Sequence, residues 1–123
     1  MPGTIYFPPE RTHLEIDARG RLRSSLAPPL EGHRPSVTVT LRSVAGYYGS
    51  TAVGVLLTGM GQDGAAGMQA IAQASGITIA QDEASCVVFG MPKQAIALGA
   101  VQYVLPVHQI APTLTQLLRP QRR

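Results

Sequence analysis

The spacing of apolar residues changes from alternating to helical within the N-terminal third of the chain. Residues 12–16 and 21–25 alternate apolar and polar side chains on either side of a short polar turn, which predicts a β-hairpin with one solvent-facing side. Val37 to Tyr48 instead carries apolar residues at helical spacing, with Ser36 placed to cap the helix and Gly49 placed to end it. The N-terminal third therefore predicts a hairpin followed by an amphipathic helix.

Strands and helices alternate in the rest of the chain. The nearly continuous apolar run Val53–Thr58 predicts a strand buried on both faces, and residues 65–74 follow it as a helix. The remaining predicted elements are a short N-terminal strand at 2–9, strands at 76–80 and 103–105, and helices at 92–98 and 107–118. Three strand–helix repeats predict an α/β fold with a doubly wound, mostly parallel sheet and an N-terminal β-hairpin.

A glycine-rich loop connects the first buried strand to its helix and contains one acid, Asp63. Open α/β sheets place their functional sites at the carboxyl ends of the strands, where this loop lies. Gly59, Gly61 and Gly64 allow positive φ angles and close backbone approach, which leaves loop N–H groups available to a ligand or a developing negative charge. An Asp in such a loop is also common as a turn or helix-capping residue. The residues alone leave both interpretations of Asp63 open.

Composition narrows the class of protein. A chain of 123 residues with 45% hydrophobic and 14% charged residues is typical of one globular domain. The net charge of +3 is mild, and the basic residues lack the interleaved aromatics of a nucleic-acid-binding surface. The single cysteine, Cys86, offers neither an internal disulfide nor a metal-binding motif, so we expect a cytoplasmic protein without a metal or cofactor. No apolar run is long enough to predict membrane insertion.

The central loop also fits a dinucleotide-binding fingerprint. Residues 59–64 satisfy G-x-G-x-x-G between a strand and a helix, and Asp82 follows the next strand. Asp63, however, would place a negative charge in the turn that must approach a pyrophosphate. The chain also leaves little length for a second mononucleotide-binding half. A dinucleotide-binding βαβ module is therefore the weaker alternative.

Three longer motifs indicate a different function. They are V-L-L-T-G-M-G-Q-D-G-A-A-G-M at 55–68, D-E-A-S-C-V-V-F-G-M-P at 82–92 and H-R-P-S-V at 33–37. Together with P-G-T-I-Y-F-P-P-E-R-T-H-L-E at 2–15, they closely resemble the catalytic domain of CheB-type chemotaxis protein-glutamate methylesterases. The resemblance is collinear from residue 2 to about residue 118, so we expect residues 1–118 to be the C-terminal part of that domain and 119–123 a basic tail.

The resemblance implies a mechanism and site residues. Such enzymes hydrolyse glutamate methyl esters on the cytoplasmic region of methyl-accepting chemoreceptors, and many deamidate receptor glutamines, with a Ser/His/Asp triad. The triad Asp of the family falls on Asp63, and the backbone N–H implicated in binding the oxyanion falls on Met60. Gly59, Gly61 and Met91 are expected to border the substrate cleft. The resemblance implies neither a cofactor nor a metal.

The chain also departs from the family pattern. The G-x-S-T-G-G turn that carries the nucleophile, the catalytic His that follows it, and the usual receiver domain are not found in this sequence, and Thr38 replaces a family Asp. His13, His33 and His108 lie in contexts that do not indicate a general base, and none of the seven serines lies in a nucleophile-elbow pattern. We therefore expect an isolated chain that is inactive, associates with itself or dissolves poorly, and needs an N-terminal catalytic segment for Ser and His. The alternative is a non-catalytic fragment that binds a receptor or a partner.

Overall fold

The computed structural model describes residues 3–118. Its strands and helices alternate after an N-terminal hairpin, in the order β1 (His13–Ile16), β2 (Leu22–Ser25), α1 (Val37–Tyr48), β3 (Val53–Leu56), α2 (Ala65–Gln73), β4 (Ile77–Gln81), α3 (Met91–Ala97), β5 (Tyr103–Leu105) and α4 (Val107–Leu117). A short 3₁₀ turn, Gly49–Thr51, joins α1 to β3.

Two separate sheets are present among these residues. β1 and β2 pair antiparallel, with His13 opposite Ser25. The second sheet is parallel and has the strand order β3-β4-β5, with Val53 opposite Ile77 and Ile79 opposite Tyr103. Because its strands run in the same direction, the loops that follow β3, β4 and β5 emerge at one edge. This arrangement confirms the predicted α/β class with a parallel sheet and an N-terminal hairpin.

The core lies where α2 packs between the parallel sheet and α1. Met68 and Ile71 on α2 and Ile79 on β4 are completely buried, and each such side chain contributes about 2 kcal/mol to the stability of the fold. Gly54 leaves the space that the first two side chains fill, since a Cβ there would lie 2.8 Å from the Met68 Sδ and the Ile71 Cδ1. Gly67 similarly permits close approach of α2 to α1, because its Cβ would lie 3.0 Å from the Thr38 Cα. This packing fixes α1 against the loop that precedes α2.

Most predicted elements are present, with ends shifted by one or two residues. Ser36 caps α1 through its side chain as predicted, accepting a hydrogen bond from the Val39 N–H. The predicted strand at 2–9 is wrong over residues 3–9, which form no strand; residue 2 lies outside the described residues. A strand needs a hydrogen-bonded neighbour, and none pairs with 3–9 in the described part of the chain. The proposed tail at 119–123 also lies outside the described residues.

Candidate active site

Asp63 lies in the loop between β3 and α2, as the sequence predicts, and its side chain is directed toward α1. Its carboxylate accepts three hydrogen bonds from the N-cap residue and the first two residues of that helix. The Ser36 hydroxyl donates to Oδ1 at 2.8 Å, the Val37 N–H to Oδ2 at 2.8 Å and the Thr38 N–H to Oδ1 at 3.2 Å. Asp63 is only 8% exposed. The carboxylate therefore caps α1, a helix distant in sequence, and not α2, the helix that follows it.

The first turn of an α-helix explains why a carboxylate is stable at this buried position. Its N–H groups have no partner within the helix, and the helix dipole favours negative charge there. Ser36 contributes twice, since its hydroxyl donates to Asp63 and accepts from the Val39 N–H at 3.3 Å. The sequence H-R-P-S-V thus supplies a helix start whose free donors converge on one acid.

The pKa of Asp63 is the balance of opposing effects. Burial raises it, whereas the hydrogen bonds from the Val37 N–H, the Ser36 hydroxyl and the Thr38 N–H lower it, and the charge of His33 lowers it further. The net pKa is below the ordinary value of 3.8. Asp63 is consequently ionised near neutral pH and is fixed in position by neutral donors.

Thr38 and Gly64 connect the same two segments from the other side. The Gly64 N–H donates to the Thr38 Oγ1 at 2.8 Å, and Thr38 is 4% exposed. Gly64 has a φ of 95°, a conformation that disfavours a side chain, and a Cβ there would also lie 2.8 Å from Leu56. The Asp63 loop is therefore held to α1 on both sides of the acid. Thr38 therefore belongs to this site.

Met60 lies three residues before Asp63 in the same loop. It is 81% exposed, and its backbone N–H has no protein acceptor among residues 3–118. The neighbouring Gly61 adopts a φ of 89°, as expected of a glycine in a tight loop. An exposed and unpaired N–H at the carboxyl end of a buried strand is available to bind an oxyanion. The proposed role of Met60 stays a prediction.

The loop after β4 packs on the loop that carries Met60. Gly59 forms a parallel bridge with Phe89. The Met91 side chain packs against Gly59, since a Cβ at position 59 would lie 2.2 Å from the Met91 Cε and would require that side chain to move. Gly59, Gly61 and Met91 are thus neighbours at one edge of the sheet, where the sequence predicts the substrate cleft. Whether they contact a substrate stays a prediction.

The histidines occupy three different environments. His13 is 1% exposed; its Nδ1 accepts the Ser36 N–H at 3.2 Å, so the proton lies on Nε2, which is 3.0 Å from the Pro28 oxygen. His33 is exposed but near enough to Asp63 to affect its pKa. His108 is exposed on α4. Neither His13 nor His33 forms a hydrogen bond with Asp63 in the described part of the chain.

Sequence reasoning did not predict the contact between α1 and Asp63. The partners are 25 to 27 residues apart in sequence, and periodicity carries no information on such a pairing. It also did not predict the role of Gln81, which is 3% exposed. The Gln81 Oε1 accepts a hydrogen bond from the Thr58 N–H at 2.7 Å, and the Gln81 Nε2 donates to the Ser85 carbonyl oxygen at 2.7 Å. The available signal was a polar residue at the end of a strand rich in apolar residues.

Other functions find little support in the geometry. The loop at 59–64 is poorly suited to a pyrophosphate, because its Gly59 and Gly64 N–H groups are already bonded to Val88 and Thr38. Residues 3–118 contain no group of three or more His, Cys, Asp or Glu side chains arranged to hold a metal. Cys86 is half-buried. Across the same residues, no helix combines the length and apolar character needed to cross a bilayer.

Known proteins of similar sequence and structure identify the family. The sequence model of the family described as CheB methylesterase matches residues 1–114. A protein-glutamate methylesterase/protein-glutamine glutaminase of Pectobacterium atrosepticum is 54% identical over 114 residues, which are 90% of this chain and 33% of that protein. The protein-glutamate methylesterase FrzG of Myxococcus xanthus is 47% identical over 115 residues, covering 94% of this chain and 34% of that protein.

A solved structure agrees with these matches. The crystal structure of the Thermotoga maritima CheB methylesterase catalytic domain superposes with a TM-score of 0.85 at 38% sequence identity, over 89% of this chain and 60% of that one. The chain thus spans about a third of the length of these curated relatives. The predicted resemblance and fold class are confirmed, and the chain belongs to the CheB methylesterase family.

Proposed function

We propose that residues 1–118 form the C-terminal part of a protein-glutamate methylesterase catalytic domain and contribute the acid of its catalytic triad. The observation that carries the proposal is the buried Asp63 carboxylate, which is ionised and held by three donors. Of its two oxygens, Oδ2 accepts a single hydrogen bond from the chain, and a carboxylate oxygen has two lone pairs. One acceptor position therefore stays available for the Nδ1–H of a catalytic histidine.

In this mechanism each group has a defined part. A serine attacks the ester carbonyl of a methylated glutamate, and a histidine takes its proton and returns it to the departing methanol. Asp63 orients the histidine and stabilises the imidazolium that forms. The Met60 N–H donates to the oxyanion of the tetrahedral intermediate, a contact that typically lowers the barrier by about 3 kcal/mol. Gly59, Gly61 and Met91 border the cleft that receives the glutamate side chain.

The serine and the histidine come from an N-terminal catalytic segment, which is the first proposed partner. Exposed apolar side chains in the described part of the chain support a covering segment, since Ile5 and Phe7 are each 84% exposed and Leu26 is 74% exposed. Within residues 3–118, β3 also has a strand neighbour on only one side. An unpaired edge and exposed apolar groups favour association. The isolated chain should therefore elute as an oligomer from a sizing column.

The second proposed partner is the cytoplasmic region of a methyl-accepting chemoreceptor, which supplies the substrate. The test combines the 123-residue chain with the N-terminal catalytic segment of a relative that carries the serine and the histidine. Methanol release from a methylated receptor fragment is then measured for each part and for the mixture. Only the mixture should release methanol, and turnover by the isolated chain would refute the missing-triad assignment.

Two variants test the assignment of Asp63 within the mixture. Asp63→Asn should lower kcat by about 10³- to 10⁴-fold, since an amide cannot hold the histidine in the required tautomer. Glu83→Gln is the matched control, because Glu83 is an exposed acid in a turn, and it should stay within twofold of wild type. If the mixture bound the receptor without releasing methanol, the alternative of a binding fragment would be favoured.

A further inference from the structure

The peptide group between Gly59 and Met60 is held by the start of α3. The Gly59 carbonyl oxygen accepts two hydrogen bonds, from the Gly90 N–H at 3.0 Å and from the Met91 N–H at 3.0 Å. The Gly59 N–H donates in turn to the Val88 oxygen at 2.9 Å. Both polar groups of Gly59 are thus bonded to one short segment, and the orientation of the following peptide plane is fixed.

This arrangement determines the direction of the Met60 N–H. In a trans peptide the N–H points opposite to the carbonyl of the same unit, and the Gly59–Met60 bond is trans. Since the Gly59 carbonyl points at the first N–H groups of α3, the Met60 N–H points away from them. Hydrogen bonds to the carbonyl also polarise the peptide group and strengthen its N–H as a donor. The donor is therefore both oriented and strengthened before any ligand binds.

Gly90 makes the arrangement possible because it has no side chain. A Cβ at this position would lie 2.7 Å from the Gly59 oxygen, 2.9 Å from the Gly61 nitrogen and 3.1 Å from the Gly61 oxygen. All three atoms belong to the backbone, so no flexible side chain can move aside. Gly90 has a φ of −99°, which other residues adopt readily, so the requirement for glycine comes from space and not from backbone conformation.

Thr58 secures the same two segments one residue earlier. Its Oγ1 is 3.1 Å from the Val88 oxygen, to which it donates, and it accepts the Val88 N–H at 2.9 Å. Its backbone N–H donates to the buried side chain of Gln81. The contact between the two loops therefore includes bonds that do not depend on Gly90.

We propose that Gly90 is a positioning residue for the oxyanion donor, acting by keeping the Gly59 carbonyl seated on the first N–H groups of α3. The proposal rests on the function proposed for Met60. It assigns a role in turnover to a glycine whose contacts are with the backbone of Gly59 and Gly61. A side chain at position 90 should turn the Gly59–Met60 peptide and misdirect its N–H. The transition state, which carries the oxyanion, should then lose more stabilisation than the bound substrate does.

The test uses Gly90→Ala, with Gly46→Ala as the matched control. Gly46 lies within α1, and a Cβ there would meet nothing within 4 Å. In the 123-residue chain, NMR couplings across the hydrogen bonds report directly on the bonds from the Gly90 and Met91 nitrogens to the Gly59 carbonyl. Gly90→Ala should abolish these couplings and shift the Met60 amide resonance, whereas the control should preserve both. Retention of the couplings in Gly90→Ala would overturn the proposal.

The second measurement is methanol release by the mixture described above. Gly90→Ala should lower kcat by about 10- to 100-fold with KM within threefold of wild type, which is the pattern expected when an interaction made only in the transition state is lost. An unchanged kcat, or a rise in KM alone, would overturn the proposal. If the wild-type mixture released no methanol, the function proposed for the site would fail, and the NMR couplings would still decide whether Gly90 orients Met60.

A second variant covers the case in which Gly90→Ala does not fold. Thr58→Val removes both hydrogen bonds between the Thr58 hydroxyl and Val88 and leaves position 90 unchanged. It should weaken the same couplings and lower kcat by about threefold to tenfold. Wild-type couplings and wild-type kcat in Thr58→Val would count against a loop contact that positions the donor.

Discussion

Replacement of Asp63 should destabilise the fold, independently of any loss of activity. In Asp63→Ala, three donors lose their acceptor: the Ser36 hydroxyl, the Val37 N–H and the Thr38 N–H. The hydroxyl can rotate to another acceptor, and Val37 is 36% exposed and can bond to water. Thr38 is 4% exposed, so its N–H would stay without a partner. The structural cost therefore falls mainly on one buried backbone group and on the uncapped start of α1.

The loss of stability in Asp63→Ala can be worked out from these broken interactions. A buried donor without a partner costs about 1–3 kcal/mol, and removal of a negative charge from a helix N-terminus costs about 0.5–1 kcal/mol. We expect Asp63→Ala to lower the free energy of unfolding by about 3 kcal/mol, which lowers Tm by about 10 °C in a domain of this size. Asp63→Asn keeps one oxygen acceptor but places an amide NH₂ near a donor. It should lower the free energy of unfolding by about 1–2 kcal/mol.

Urea unfolding of the 123-residue chain at one fixed chain concentration, followed by circular dichroism, measures these differences. The midpoint should fall while the denaturant slope stays unchanged, since the surface exposed on unfolding is the same. Glu83→Gln is the control and should lie within about 0.5 kcal/mol of wild type. A residue retained for catalysis alone often leaves stability unchanged or raises it when replaced. An Asp63→Ala chain as stable as wild type would therefore disprove the bond between Asp63 and α1.

Three further predictions concern the same edge of the sheet. The pKa of Asp63 is lowered in the folded state, so its contribution to stability should be complete above about pH 4 and should decline as pH falls through the folded pKa; Asp63→Asn should flatten this part of the urea-midpoint profile. Thr38→Val removes the acceptor of a loop N–H and should cost about 1–2 kcal/mol in urea unfolding, whereas exposed Thr115→Val should cost less than about 0.5 kcal/mol. Gln81→Leu deprives the Thr58 N–H of its acceptor and should lower the free energy of unfolding by about 2 kcal/mol. The Thr58 amide hydrogen should then exchange faster with solvent, while the NMR signals of the other residues stay as in wild type. Unchanged exchange at Thr58 would contradict the assigned bond.

The sequence alone predicts the elements of the parallel sheet because their periodicity is local. The apolar run before Gly59 and the helical spacing from Ala65 each lie within one element, and both predictions are confirmed with small shifts of their ends. The strand predicted at residues 2–9 fails for the opposite reason, since pairing of a strand depends on a neighbour that local composition does not reveal. Residues 4–7 have β-forming side chains but no strand beside them in the described part of the chain.

For the candidate site too, the sequence predicts the features that are local to one segment and misses those that depend on contacts between distant segments. The placement of Asp63 and Met60 in a loop at the carboxyl end of a buried strand follows from the pattern of strand, glycines and helix. The partners of Asp63 on α1 and the contact of Gly90 with Gly59 depend on packing between segments that are distant in sequence. A glycine needed for space, such as Gly90, resembles any other loop glycine in the sequence. Only the structure shows that an added Cβ would collide with backbone atoms at Gly90 but would meet nothing within 4 Å at the loop glycine Gly61.

The neutral character of the groups that hold Asp63 is consistent with the proposed role. A triad carboxylate must be ionised and oriented, and it must also stabilise the imidazolium that forms during the reaction. A lysine or arginine paired with it would satisfy the first two requirements but would repel the developing imidazolium and weaken the third. The hydrogen-bond donors to Asp63 in the described part of the chain are two backbone N–H groups and a hydroxyl, all neutral. The start of α1 thus lowers the pKa of Asp63 mainly through hydrogen bonds, with a smaller contribution from the charge of His33, and leaves the carboxylate charge available to a neighbouring histidine.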